Sequence, residues 1–202
     1  VSAAPAEWVV ATSNSGKLEE LRALLAGTGI VLRPQADFGI EGADETAPTF
    51  IENALLKARH AARAAKLPAL AEDSGLCVTA LDGAPGIHSA RFAGPRCSSA
   101  DNIRKLLGLL NDVPDDRRDA EFRCVMVLLR HPMDPAPLIA SGSWRGRIAQ
   151  VPVGVRGFGY DPVFFDPTLK ATAAELPAPA KNRVSHRGQA VAALRSLLAR
   201  AV

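Results

Sequence analysis

The sequence predicts an α/β fold with a mixed β-sheet and flanking helices, in two lobes with a cleft between them. Three observations predict it. Short β-prone segments alternate with leucines at helical spacing in the first third of the chain. Two apolar segments in the middle are separated by a proline-broken connection. No linker is long enough to divide the chain, so residues 1–202 are expected to form a single domain whose lobes are not independent.

Trp8-Val9-Val10-Ala11 is a first strand, and the polar run Thr12-Ser13-Asn14-Ser15-Gly16-Lys17 follows it as a loop. Leu18, Leu21, Leu24 and Leu25 then repeat as on one face of a helix that Gly27 stops, and Ile30-Val31-Leu32 is a second strand. Residues 39–48 form an acidic loop. Thr49-Phe50-Ile51-Glu52 has the form of a capping box, whose hydroxyl and carboxylate satisfy free N–H groups at a helix start. That helix is expected to reach about Lys66, because Pro68 cannot continue it. Leu70-Ala71 looks like the end of a strand that opens into Glu72-Asp73-Ser74-Gly75. Asp82-Gly83 and Pro85-Gly86 mark turns, and Ser98 or Ser99 can cap a helix carrying Ile103, Leu106, Leu107 and Leu110. Residues 122–129 are apolar on both faces, as in a strand buried on both sides, and residues 138–144 pair with them. A glycine-rich loop precedes Tyr160-Asp161-Pro162, and a last helix starts near Ser185.

Composition excludes several classes. With 48% hydrophobic and 22% charged residues the chain has the make-up of a soluble globular domain. A net charge of +3, spread along the chain, is too weak to argue for nucleic acid or a membrane surface, but it suits a small anionic substrate. Residues 1–8 lack the order of a signal peptide, and no apolar run could cross a bilayer. Cys77, Cys97 and Cys124 are scattered, with no CxxC pair, so we expect a reducing, cytoplasmic compartment and no structural zinc.

Four motifs carry the chemistry. The loop Thr12 to Lys17 leaves a strand and opens a helix, where free N–H groups and a lysine attract phosphate. It is not a Walker A loop, because its first glycine is absent and Leu18 stands where a hydroxyl would hold the metal. Glu72 and Asp73, with Asp44 and Glu45 upstream, offer hard oxygen ligands of the kind magnesium takes. Gly157-Phe158-Gly159-Tyr160-Asp161 can present an aromatic ring to a base and an acceptor beside it. Lys181 and Ser185-His186-Arg187 place basic groups at a helix start, against the dipole, which points to an anionic or carbonyl-rich partner. Each motif also has a plain structural reading: a capped helix, a polar turn, packed aromatics, a solvated helix end.

Taken in order, these blocks, together with Gly83-Ala84-Pro85-Gly86 and Asp112-Val113-Pro114-Asp115-Asp116, resemble the inosine triphosphate pyrophosphatase family, the non-canonical purine nucleotide pyrophosphatases. The resemblance implies an elongated mixed β-sheet with flanking helices, its two lobes around a central substrate cleft, and hydrolysis of ITP, dITP and XTP to the monophosphate and pyrophosphate with Mg2+, by a homodimer. It implies that Thr12, Ser13, Asn14, Ser15, Gly16 and Lys17 hold the triphosphate and that Ser74 meets the substrate. Glu45, Glu72 and Asp73 then bind metal, with Asp73 matching the proton acceptor and Lys17 a second catalytic group. Phe158, Gly159, Tyr160, Asp161, Lys181, His186 and Arg187 surround the base. The sequence departs from the family pattern at Ser13, commonly glycine, at Glu72, often aspartate, and at Pro177, Pro179 and Ala180, where acids are frequent. In sequence alone Asp73 is equally a base or a metal ligand. A pyrophosphatase for other modified nucleotides, a phosphotransferase and a silent nucleotide-binding protein are the alternatives.

Overall fold

A computed structural model of the chain describes residues 6–200; residues 1–5, on which most of the signal-peptide reading falls, and residues 201–202 lie outside the described residues. The elements in order are β1 (Ala6–Val10), α1 (Ser15–Leu24), β2 (Ile30–Pro34), α2 (Phe50–Ala65), β3 (Ala69–Val78), α3 (Ser99–Leu109), β4 (Asp119–Leu129), β5 (Leu138–Ile148), β6 (Phe164–Asp166), β7 (Ala171–Thr172), α4 (Ala178–Val184) and α5 (His186–Arg200). The strands form one seven-stranded sheet in the order β2-β1-β3-β4-β5-β6-β7. β1 runs parallel to β2 and β3, whereas β5, β6 and β7 pair antiparallel, so the sheet is mixed as the sequence predicts. The chain divides into two compact units. The first holds residues up to Asp73, 124–142 and from Arg187 onward; the second holds 74–123 and 143–186.

In the first unit the sheet is covered on both faces. Along β1, Trp8 and Val10 join a cluster with Leu21 and Leu25 of α1 and Val191 and Leu194 of α5. Val9 and Ala11 point the other way, into a cluster with Ala54, Ala58, Ala61 and Ala62 of α2. β4 splits in the same manner, with Cys124, Met126 and Leu128 on one side and Val127 and Leu129 on the other. The period-2 alternation of a strand explains both divisions. It also explains why this stretch of β4 is apolar at nearly every position.

The helix starts follow local chemistry. Asn14 caps α1, its side chain accepting from the Lys17 N–H at 3.0 Å. Thr49 caps α2, but the Glu52 carboxylate accepts from the Thr49 hydroxyl at 2.5 Å, so the box closes side chain to side chain. Ser98 and Asp101 form the full reciprocal box at α3. α2 ends as expected, with Lys66 in the left-handed region at φ 54° ahead of Pro68.

One expectation is corrected. β3 does not end at Ala71; it continues through Glu72, Asp73, Ser74 and Gly75 to Val78. Two acids within a strand looked too costly to bury, and the sequence does not show the cations that compensate them.

The second unit packs Leu76, Val78, Leu106, Phe122, Trp144, Val163 and Phe164 into one core. The Phe122 and Phe164 rings lie 4.5 Å apart, and Trp144 and Phe164 lie 4.9 Å apart. Gly75 is required here. A Cβ at that position would lie 2.2 Å from the Gly86 carbonyl oxygen and 2.6 Å from Ser89 Oγ. Ser89 Oγ accepts from the Leu76 N–H and donates to Gly86 O, so neither neighbour is free to give way. Gly75→Ala is therefore expected to lower stability by about 1–3 kcal/mol, as overpacking does, measured by urea denaturation. An unchanged midpoint would show that the strand shifts without cost.

Candidate active site

The Thr12–Lys17 segment and the acids of β3 meet within the first unit. α1 starts at Ser15, earlier than the sequence suggests, so Ser15, Gly16 and Lys17 form its first turn. Thr12 Oγ1 accepts from the Asn14 N–H at 3.2 Å, and Ser13, Asn14 and Ser15 are exposed. At the end of this turn Lys17 Nζ lies 3.2 Å from Glu72 Oε1.

Glu72 is the centre of a buried charge cluster. Arg187 grips it with both arms of its guanidinium, Nε to Oε2 at 2.7 Å and a terminal nitrogen to Oε1 at 2.9 Å. The other terminal nitrogen donates to Glu20 Oε2 at 2.5 Å, and the Cys124 thiol donates to Glu72 Oε2 at 3.3 Å. Glu72 is 2% exposed and Arg187 1%. Burial acts to lower the Arg187 pKa, but the charge of Glu72 and its hydrogen bonds outweigh this and hold the guanidinium above its ordinary value. Burial and the Glu72 charge both push the Cys124 thiol well up, so it stays protonated and donates. Two carboxylates thus face two cations, an arrangement that buried charges require.

Asp73 does something different, because neighbouring residues on a strand point to opposite faces. Its Oδ1 accepts from Lys57 Nζ at 2.9 Å, and the same ammonium donates to Glu45 Oε1 at 2.7 Å. Burial acts against the Lys57 ammonium, yet the charges of Asp73 and Glu45 prevail and raise its pKa. The Asp73 Oδ2 atom is buried and has no hydrogen-bond partner among the described residues. Burial consequently raises the Asp73 pKa, despite the opposing pull of Lys57 and of Lys17.

The family resemblance implied that Glu45, Glu72 and Asp73 bind metal. Among the described residues no group of three or more His, Cys, Asp or Glu side chains converges as a metal site. Both Glu72 oxygens already accept from the Arg187 fork, so a cation there would have to displace another. The Asp73 side fits magnesium better: a buried carboxylate oxygen with no donor, next to a second carboxylate, is a hard-oxygen donor set in want of positive charge.

The second unit gathers the aromatic motif. The Asp161 carboxylate accepts from the Phe158 N–H at 2.9 Å and from Lys181 Nζ at 2.5 Å through the same oxygen, Oδ2. The Lys181 ammonium also lies 4.9 Å from the centre of the Phe158 ring. Asp161 and Lys181 are buried and Phe158 is half-buried. Gly157 sits at φ 75°, and a Cβ there would lie 2.0 Å from Asp161 Oδ2, so this turn closes only around glycine. Gly159 is likewise left-handed. Tyr160 is buried and its hydroxyl donates to Ser89 O at 2.9 Å; burial drives its pKa up. The His186 ring stacks on Phe122 at 4.7 Å with 12° between planes. Ser74 opens this unit, half-buried. The unit boundary falls between His186 and Arg187, and the guanidinium of Arg187 is held by Glu72 and Glu20.

The sequence pattern of the Ham1 family matches residues 8–197. The chain belongs to the Ham1 family. A dITP/XTP pyrophosphatase of Shigella flexneri is 55% identical over 183 residues, 91% of this chain and 93% of that protein. A dITP/XTP pyrophosphatase of Xanthomonas axonopodis pv. citri is 56% identical over 192 residues, covering 95% and 96%. Among solved structures, a HAM1 protein from Coxiella burnetii superposes with a TM-score of 0.89 at 48% identity, over 96% of this chain and 99% of that one.

In this Ham1 chain four participants were invisible in the sequence: Lys57, Glu20, Cys124 and Phe122. None belongs to a motif. Lys57 sits among alanines on α2 and Glu20 is one of two adjacent acids on α1. Only the alanine stripe facing the core hints that Lys57, next to it, stands at the rim of that core. The prolines before Lys181 prove compatible with the site. Pro177 is the cap and Pro179 lies in the first turn of α4, where a missing N–H costs nothing, and Lys181 follows on that helix.

The two adjacent acids of β3 should differ in their contribution to stability. Glu72→Gln removes the charge opposing Arg187 and is expected to cost about 3–5 kcal/mol, the usual price of breaking a buried ion pair. A raised carboxyl pKa means that the native state holds the Asp73 proton more readily than the unfolded chain. Ionised Asp73 therefore costs stability above its raised pKa, and the cost fades as pH falls. Asp73→Asn should leave stability unchanged or improved at neutral pH. Equal losses in both variants, measured by urea denaturation, would contradict this division.

Proposed function

We propose that the chain hydrolyses dITP, ITP and XTP to the monophosphate and pyrophosphate in a magnesium-dependent reaction, working as a homodimer in the cytoplasm. The observation that carries the reading is the meeting of the α1 start, Lys17 and the β3 acids, with the Asp73 Oδ2 atom left for a cation. The relatives at 55% and 56% identity, both named dITP/XTP pyrophosphatases, support the substrate class.

In this reading Thr12, Ser13, Asn14, Ser15 and Gly16, leading into the first turn of α1, bind the triphosphate, as helix starts bind anions. Lys17, oriented by Glu72, neutralises charge that builds on the departing pyrophosphate. Asp73 and Glu45 would hold magnesium, which when bound offsets phosphate charge and polarises the reacting groups. Water attacks the α-phosphorus. Asp73 accepts its proton at Oδ2 or lends that oxygen to the metal, and both tasks need the ionised carboxylate. Lys57 keeps Asp73 and Glu45 side by side. The base stacks on Phe158, whose ring is held by Lys181 and Asp161. His186, fixed by Phe122, donates to the oxygen that hypoxanthine and xanthine carry at C6, and adenine leaves that donor unsatisfied.

The decisive experiment is pyrophosphate release with and without Mg2+ across dITP, ITP, XTP, GTP and ATP. dITP, ITP and XTP are expected to exceed ATP in kcat/KM by about 100-fold or more; equal values for ITP and ATP would overturn the reading. Asp73→Asn should lower turnover by about 100-fold, the scale of general-base or metal-ligand loss, in a chain that still melts cooperatively. Phe158→Ala should raise KM for every purine nucleotide alike, because stacking is indifferent to the substituents of the base. A KM change confined to one nucleotide would assign Phe158 a different task.

A further inference from the structure

We propose that Asn53 is a positioning residue: with Lys57 and His60 it clasps the 41–47 segment to α2 and thereby sets where Glu45 stands beside Asp73. The inference rests on the proposed magnesium site and names residues that hold that site in register.

The 41–47 segment belongs to no helix or strand. Side chains of α2 hold it instead. Asn53 is fully buried, and its amide pairs with one residue twice: Oδ1 accepts from the Ala47 N–H at 3.0 Å and Nδ2 donates to Ala47 O at 3.1 Å. One turn further on, Lys57 Nζ donates to Glu45 Oε1 at 2.7 Å. Near the next turn, His60 Nε2 donates to Glu41 O at 3.0 Å. Positions 53, 57 and 60 are spaced i, i+4 and i+7, so they share one face of the helix. Their partners run the opposite way, 47, 45 and 41, so the segment lies back along the helix like an added strand.

This arrangement has a chemical logic. A primary amide offers a donor and an acceptor side by side at every ordinary pH, which is what the N–H and C=O of one extended residue demand. Asn53 therefore fixes both the position and the rotation of the backbone at Ala47, two residues from Glu45. Lys57 alone could not do this, because its ammonium on a flexible stem has no rotational preference. The acid paired with Asp73 is carried by an irregular segment, and without the clasp Glu45 would leave Asp73 as a lone ligand. Groups that orient ligands in this way are worth about 10–100-fold in metal affinity.

The test is made on the whole chain, with Asn53→Ala and His60→Ala. Hydrogen–deuterium exchange of the 41–47 peptide in metal-free protein should rise at least about tenfold in Asn53→Ala, and the Mg2+ concentration for half-maximal pyrophosphate release should rise about tenfold or more. Excess Mg2+ should restore most of the lost turnover, which a general loss of structure would not permit. His60→Ala, at an exposed position, is expected to shift both readouts in the same direction by about threefold, a fraction of the amide's effect, and it decides the matter if Asn53→Ala does not fold. Unchanged exchange in the folded variants overturns the clasp. Faster exchange with an unchanged Mg2+ requirement overturns its positioning role. Wild-type pyrophosphate release that is indifferent to Mg2+ overturns instead the metal reading on which the inference rests, whatever the exchange data show.

Discussion

The buried pairing of Glu72 with Arg187 is the constraint on which the first unit depends. A carboxylate at 2% exposure in the middle of a sheet is tolerable only if its lone pairs are filled and its charge is opposed. Arg187 does both through two parallel hydrogen bonds, the geometry that a guanidinium fork matches best. The same guanidinium reaches Glu20, and Glu72 also draws in Lys17 and the Cys124 thiol. α1, β3, β4 and α5 are thereby tied at one point in addition to their apolar contacts. The lysine at the start of α1 is not left to wander in solvent; it is held beside the strand that carries Asp73.

Strand geometry divides the work between two adjacent acids. Glu72 turns to a face where its charge is neutralised, and Asp73 turns to a face where one oxygen is left over. The longer arm of glutamate suits the first task, since it brings both oxygens to the Arg187 fork. The shorter arm of aspartate suits the second, since it keeps Oδ2 close to the strand and buried. Lys57 then supplies enough positive charge to hold Asp73 and Glu45 together without filling the remaining oxygen.

The second unit uses a different device. Asp161, Lys181 and the Phe158 backbone close a small buried knot in which one carboxylate oxygen accepts two donors. The lysine is at once the counter-ion of Asp161 and a cation against the Phe158 ring, so the ring cannot swing without giving up that cation–π contact. The His186 ring is restrained similarly by its stack on Phe122, which is itself packed against Phe164. Rigid aromatic surfaces of this kind lose little entropy when a flat ligand stacks on them.

Much of this architecture was legible in the sequence, because it depends on local rules. The strand at Trp8, the caps at Thr49 and Ser98, the stop before Pro68 and the apolar β4 follow from periodicity, capping chemistry and the stiffness of proline, which act over a few residues. The motifs proposed to form the site stood out in the sequence for the same reason, as short blocks with a recognisable order. What tertiary structure alone decided is which charge meets which. Arg187 stands next to His186 in sequence but pairs with Glu72, 115 positions away, and Lys57 meets Asp73 across 16. The extension of β3 through two acids was missed because the cations that permit it come from α1, α2 and α5. Long-range pairing leaves no periodic trace in a chain, and the burial that makes a charge costly or useful exists only once the elements have packed.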